Sequence, residues 1–150
     1  LVPDDTNGTY DVYVRVRCAP PSSASFVGDG LNADVLTPVN ARIGQGWSAP
    51  LLLGHGHGAG GSIVLVVRTS TFNGPNFTSP IGGRATELLI AGPRLALLTS
   101  THDGSSGDIP PQTVPDRFAL VGLSWAAQYT VTGGGFADLS TAAAGVVGCP

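Results

Sequence analysis

The chain has 150 residues and a formal net charge of −3, and only 11% of its residues are charged. It contains no lysine, which excludes the basic surface typical of nucleic-acid-binding proteins and the polybasic segments that hold proteins to anionic membranes. No apolar run approaches the roughly 18 residues of a membrane-spanning helix. Hydrophobic residues make up 42% of the chain, which is enough for the core of one domain.

The N-terminal residues are predicted to form an arm followed by a strand. Residues 1–9 are polar and rich in turn-forming types, so they are expected to extend from the folded domain. In the next segment, 10–17, the side chains of Val12, Val14 and Val16 fall on one face and mostly polar side chains fall on the other. This period of two, carried by β-branched residues, predicts a half-buried strand.

The middle of the chain is predicted to alternate between loops and short strands. A loop at 20–32 precedes short strands at 35–39 and 48–53, and the glycine-rich segment 54–61 is expected to be a turn or an open loop. The apolar run 62–68 predicts a central strand that is covered on both faces.

No segment of the chain shows a sustained helical period with a cap at its start. The remaining predicted elements are a loop at 69–83, a strand at 86–90, a short strand or helical turn at 93–98, a turn at 102–107, a long strand at 120–131 and a last strand at 142–147. The predicted fold class is therefore all-β, with residues 10–150 forming a single β-sandwich or jelly-roll-like domain. The expected core residues are Val12, Val14, Val16, Ile63, Leu65, Val67, Leu123, Trp125 and Val131.

Several short segments together carry a recognisable pattern. They are 44–47, 83–93, 95–99, 101–104, 114–116, 120–123 and 126–128. This pattern resembles an uncharacterised β-sandwich domain found at the C-terminal end of secreted proteins from environmental bacteria. The resemblance implies a sandwich fold and carries over no catalytic residue. That domain usually follows a larger region, whereas here a predicted strand and a predicted arm precede the pattern.

Export from the cell is expected, because the chain begins at Leu1 and contains no methionine, as after removal of a leader. In an exported protein Cys18 and Cys149 are expected to form a disulfide, although two unrelated buried thiols are the alternative. Asn7 and Asn76 each begin a glycosylation sequon, so both are candidates for covalent glycans. The expected location is extracellular or at the cell surface.

Metal binding and catalysis find little support in the sequence. His55 and His57 are spaced as two ligands on one strand face and, with His102 and Asp103, are candidates for a zinc or copper site. The flexible glycines around the histidine pair argue for two exposed side chains instead. The chain also lacks a Gly-x-Ser-x-Gly nucleophile elbow, and no aspartate lies in an apolar segment, so neither an enzyme nor a cofactor is predicted.

The function predicted from these features is that of a structural subunit in a self-assembling extracellular filament. Natural proteins protect edge strands with lysine and other charged residues, whereas this chain has no lysine and few charged residues. The subunits are expected to join head to tail by strand addition, and the assembly arm comprises Leu1, Val2, Pro3, Tyr10, Val12, Val14 and Val16. The alternative is a secreted carbohydrate- or surface-binding module. For that module Tyr13 and Trp47 are the aromatic residues left for sugar stacking once Trp125 and Tyr129 are assigned to the core.

Overall fold

The computed structural model describes residues 21–28, 30–54, 56–72, 77–81 and 84–150. The predicted arm at 1–9 and the predicted strand at 10–17 lie outside these residues. The strands are β1 (Ser23–Val27), β2 (Val35–Leu36), β3 (Gly46–Trp47), β4 (Leu51–Leu52), β5 (Ser62–Thr71), β6 (Phe77–Ile81), β7 (Arg84–Leu88), β8 (Ile90–Thr101), β9 (Ser106–Gly107), β10 (Gln112–Thr113), β11 (Ser124–Gly133) and β12 (Phe136–Val146). A single 3₁₀ turn at Phe118–Leu120 is the only helical element in the described part of the chain.

A five-stranded antiparallel sheet forms the centre of the fold, with the strand order β1-β12-β11-β5-β8. The short strands β2, β4 and β9 form a second sheet, and β3 pairs with β10. Side chains from these short strands, such as Leu36, Trp47 and Leu51, pack on one face of the large sheet against residues such as Leu65 and Tyr129. The fold is therefore all-β and sandwich-like, as the sequence predicts.

The opposite face of the large sheet carries a smaller apolar cluster that contains Leu89, Ile90, Ala126 and Ala142. Leu89 follows the β6–β7 hairpin, which places this hairpin beside the second face. Apolar side chains therefore lie on both faces of the sheet, which explains the apolar character of β5 and β11.

The predicted core is confirmed for the central strands. Ile63, Leu65 and Val67 in β5 are buried, and so are Trp125 and Val131 in β11. One expected core residue, Leu123, is only partly buried, because it precedes β11 and packs at the margin of the core. The valines of the predicted strand 10–17 lie outside the described residues.

Several predicted boundaries are wrong. The predicted loop at 20–32 contains β1, and the predicted loop at 69–83 contains β6 and the end of β5. For the segment 93–98, which is predicted as a short strand or a helical turn, the strand is confirmed, as part of the longer β8. The predicted strand 120–131 begins only at Ser124, because a 3₁₀ turn precedes it and Gly122 adopts a φ of 85°.

The half of the β11 side chains that points away from the main core is partly buried, at Ala126 and Gln128, while Ser124 is exposed. Gln128 lies on this half, and its side-chain amide donates hydrogen bonds of 2.7 Å to the carbonyl oxygens of Glu87 and Ser140. Its side-chain oxygen accepts a hydrogen bond from the backbone N–H of Leu89. These bonds satisfy a buried polar group and fix the end of β7 against the sheet.

No helix in the described ranges is long and apolar enough to span a membrane.

Candidate functional site

Three ionisable side chains converge in the interior of the described structure. Asp34, His57 and Asp138 are all buried, and one potential ligand atom of each lies within 4.8 Å of the others. The Nε2 atom of His57 lies 2.9 Å from Oδ2 of Asp34 and 3.5 Å from Oδ2 of Asp138. Two carboxylates thus face one imidazole nitrogen, an arrangement that we call the Asp–His–Asp cluster.

Three segments that are distant in sequence position the Asp–His–Asp cluster. Asp34 directly precedes β2, and its carbonyl oxygen accepts a hydrogen bond of 2.7 Å from the backbone N–H of Thr141 in β12. Its side-chain Oδ1 accepts a second bond, of 2.8 Å, from the N–H of Gly54. Asp138 lies in β12 opposite Val131 of β11. The aspartates are therefore held by the sheet and by backbone donors, and His57 is brought to them by the loop 54–61.

Glycines allow this loop to pack tightly against the β11–β12 hairpin. A Cβ atom at Gly133 would overlap the carbonyl oxygen of His57, and one at Gly61 would overlap the carbonyl oxygen of Thr132 and the ring of His102. The two glycine-rich segments therefore lie against each other, and of the two predicted alternatives the described residues of 54–61 show the turn, at residues 59–60.

The ring of His102 packs edge-on against the ring of His57, with centroids 5.8 Å apart. Nδ1 of His102 accepts a hydrogen bond from the N–H of Gly104, so Nε2 carries the proton and donates it to the carbonyl oxygen of Thr132. Both ring nitrogens of His102 are thus engaged. Its role in this arrangement is to pack beside the cluster and to join the ends of β8 and β11.

The residues weighed in the sequence as weak metal-site candidates do not come together as a set in the described structure. His55 lies outside the described residues, and His57 is buried where an exposed side chain was the preferred interpretation. Asp103 is exposed, and the N–H groups of Ser105 and Ser106 donate hydrogen bonds that hold the pKa of its carboxyl well below the usual range. Asp103 therefore caps a turn, and the histidine's actual neighbours are two aspartates that the sequence analysis missed.

A second feature of the described structure is an apolar groove beside β8, which we call the β8 groove. Its volume is about 350 Å³. It opens between the large sheet and the segments that contain β3 and β10. The principal lining residues are Trp47, Val67, Ala96, Leu98, Val114 and Trp125.

The aromatic residues that were considered for sugar stacking are buried wherever the structure describes them. Trp47 lies in β3 and not in a loop, and its ring meets that of Trp125 edge-on at 5.5 Å. Tyr129 is fully buried, and its hydroxyl donates a hydrogen bond to the carbonyl oxygen of Ala49. The prediction that Trp125 and Tyr129 belong to the core is confirmed. Tyr13 lies outside the described residues.

The remaining predicted site residues lie outside the described part of the chain, with the exception of Cys149. The partner predicted for Cys149 is Cys18, which is among those outside, so this disulfide stays a prediction. The glycosylation candidates Asn7 and Asn76 and all residues of the assembly arm are outside as well.

Comparison of the chain with protein-family models, with curated proteins and with solved structures finds no match. The Asp–His–Asp cluster and the β8 groove are therefore the two features of the described structure that bear on function.

Proposed function

We propose that this chain is an extracellular structural subunit that assembles head to tail into a filament by strand addition. The observation that carries the proposal is the edge strand β8. It has twelve residues and pairs only with β5 among the described strands. Its outer backbone groups are therefore available to an additional strand.

The side chains in the C-terminal half of β8 offer little protection against such pairing, whereas Pro93 and Arg94 interrupt its N-terminal half. Residues 95–101 of this strand contain neither a charge nor a proline. Leu95 and Leu97 are 44% and 49% exposed, although both are large and apolar. Long, exposed, apolar edge strands readily pair with other chains, and natural monomers usually interrupt them with lysine or proline.

The β8 groove adds a place for the side chains of an incoming strand. Leu95, Ala96 and Leu98 line the groove, whereas Leu97 does not. An added strand would pair with the β8 backbone and direct every second side chain into the groove. Affinity would then come from the backbone bonds, and specificity from the apolar side chains that the groove accepts.

The donor that we propose is the N-terminal segment of a neighbouring copy. Its valines Val12, Val14 and Val16 have the period-two spacing that an apolar groove accepts, and Leu1 and Val2 supply further apolar contacts. Because donor and acceptor are different surfaces, the contact is head to tail and leads to an open filament rather than a closed dimer. The Cys18–Cys149 disulfide and glycans at Asn7 and Asn76 belong to this proposal as features of an exported subunit.

The proposal is tested by comparing filament formation in three forms of the full chain by negative-stain electron microscopy and light scattering. The first is the wild type and the second is Leu97→Lys, which places a charge on the proposed pairing strand. The third is Leu52→Lys, a matched control at a leucine that is 60% exposed in β4, away from the sheet edge. We expect filaments from the wild type and from Leu52→Lys, and dispersed monomers from Leu97→Lys.

Two results would contradict the proposal. Filaments of Leu97→Lys that match those of the wild type would exclude β8 as the assembly edge. A wild type that stays monomeric and binds insoluble polysaccharide would favour the carbohydrate- or surface-binding module instead.

A further inference from the structure

We propose that the Asp–His–Asp cluster is a binding site for one divalent transition-metal cation, with Zn²⁺ as the best match. The ligands would be the Nε2 atom of His57 and one carboxylate oxygen each from Asp34 and Asp138. This inference goes beyond the proposed function and rests on different residues.

The spacing of the donor atoms supports a shared cation. Zn²⁺ binds imidazole nitrogen and carboxylate oxygen at about 2.0–2.2 Å, which places neighbouring ligand atoms of a tetrahedral site about 3.3 Å apart. The two separations from His57 Nε2, 2.9 Å and 3.5 Å, lie on either side of that value. All three ligand atoms lie within 4.8 Å of one another, so a modest rotation of one carboxylate closes the set around a cation.

The donor types of the cluster point to the same ligand. His57 Nε2 lies 2.9 Å from Asp34 Oδ2, and Asp138 Oδ2 faces the same nitrogen from 3.5 Å. All three side chains are buried. A divalent cation at this point would be bound by one imidazole nitrogen and two carboxylate oxygens, and its opposite charge lowers the cost of burying carboxylates.

The surroundings of the cluster hold its ligands in position. The N–H of Gly54 bonds Oδ1 of Asp34 and leaves Oδ2 directed at His57. The ring of His102 packs edge-on against that of His57 and restricts its orientation. Such contacts to the ligating side chains fix their orientation, and metal sites depend on them.

The type of ligand set decides among metals. Nitrogen from imidazole suits zinc, copper and nickel, whereas calcium and magnesium prefer six or more oxygen ligands. Three protein ligands leave one position of a tetrahedral site for water. Because the three ligands come from segments around residues 34, 57 and 138, binding would stabilise the folded state by joining them.

The test uses the full chain after dialysis against a chelator. Zn²⁺ is added in a calorimetric titration, with Ca²⁺ and Mg²⁺ in parallel, and melting temperatures are recorded with and without each metal. We expect one Zn²⁺ per chain, no comparable binding of Ca²⁺ or Mg²⁺, and a melting temperature raised by roughly 5–10 °C at a hundredfold excess over Kd.

Two variants assign the binding to the cluster. Asp138→Asn removes one ligand charge and should weaken Zn²⁺ binding at least tenfold. Asp103→Asn is the matched control, because this exposed aspartate belongs to the alternative set with His55 and His102, and it should leave binding unchanged. Unweakened binding by Asp138→Asn, or loss of binding in Asp103→Asn, would overturn the proposal.

A measurement on the wild type keeps the proposal testable if Asp138→Asn does not fold. The chain has three histidines, and ¹⁵N spectra of their rings, assigned with His55→Gln, report which ring the metal contacts. We expect Zn²⁺ to shift a ring resonance of His57. A shift confined to His55, or no binding by the wild type at all, would show that the cluster is a hydrogen-bonded core element only.

Discussion

At the scale of a single residue, Tyr129 links the core to the pH dependence of stability. Its side chain is fully buried in β11, and burial, reinforced by the negative charge of Asp108, raises its pKa above the ordinary value of 10.0. A group whose pKa is higher in the folded state than in the unfolded state stabilises the folded protein. This contribution is fully present at pH values below the unfolded-state pKa and is lost as the pH rises from there through the folded-state pKa. The chain has no lysine, so tyrosines dominate titration in that range.

We therefore predict that the free energy of unfolding of the wild type falls as the pH rises above about 10. The Tyr129→Phe variant should show a shallower fall. At neutral pH this variant should be about 1–2 kcal/mol less stable, because the carbonyl oxygen of Ala49 loses its buried donor. Urea unfolding at a series of pH values measures both effects, and equal alkaline slopes in the two proteins would contradict the prediction.

Burial of an individual residue is predictable from the sequence where an apolar residue lies within an apolar segment. Ile63 and Leu65 lie in a continuous apolar run, and both are buried as expected. Asp34 and Asp138 lie in short polar or mixed segments, and nothing local indicates that they will meet. Their burial results from the pairing of β12 with β11 and from the contact of residue 34 with β12, which are long-range interactions that periodicity does not report.

At the scale of an element, the loop 54–61 packs closely against its neighbours because glycine stands where a side chain would collide with them. Gly61 has no room for a methyl group, because a Cβ would overlap the backbone of β11 and the ring of His102. Gly56 lies in the same loop with no atom within 4 Å of its hypothetical Cβ. The two glycines therefore form a matched pair for substitution.

We predict that Gly61→Ala lowers the free energy of unfolding by about 2 kcal/mol or more, through overlap with fixed backbone. Gly56→Ala should change it by less than about 0.5 kcal/mol, since surface substitutions without special contacts rarely do more. Chemical denaturation of both variants and the wild type checks this pair. Equal stabilities of the two variants would mean that the loop is as open as its composition suggests.

Elements of the chain differ in how well the sequence predicts them. The central strand β5 is clear from its β-branched, apolar run. The edge strand β1, Ser23–Val27, lies in a segment rich in proline, serine, glycine and asparagine, a composition that predicts a loop, and it becomes a strand through backbone pairing with β12. Similarly, glycine-rich composition alone does not distinguish an open loop from one that needs glycines for close packing.

At the scale of the whole molecule, the large sheet offers two different edges in the described structure, β1 and β8. The N-terminal segment precedes β1 in the chain, whereas the exposed leucines and the β8 groove lie at the other edge. In the proposed filament, one copy would present its N-terminal segment while its β8 edge receives that of another copy. Such a separation of donor and acceptor would permit growth in one direction without limiting the number of subunits.

We predict that deletion of residues 1–9 leaves the sandwich folded and abolishes filament formation. These residues include Pro3, two aspartates and a glycine, and alone they bury too little to offset roughly 1–2 kcal/mol of backbone entropy per ordered residue. Their loss should therefore leave the thermal unfolding transition of the monomer unchanged, which calorimetry measures. Electron microscopy of the same sample should show no filaments, because Leu1 and Val2 no longer anchor the segment on a neighbouring β8 edge. Filaments that form normally from the truncated chain would exclude residues 1–9 as the link and leave the segment 10–17 or lateral contacts between sandwiches as the route of assembly.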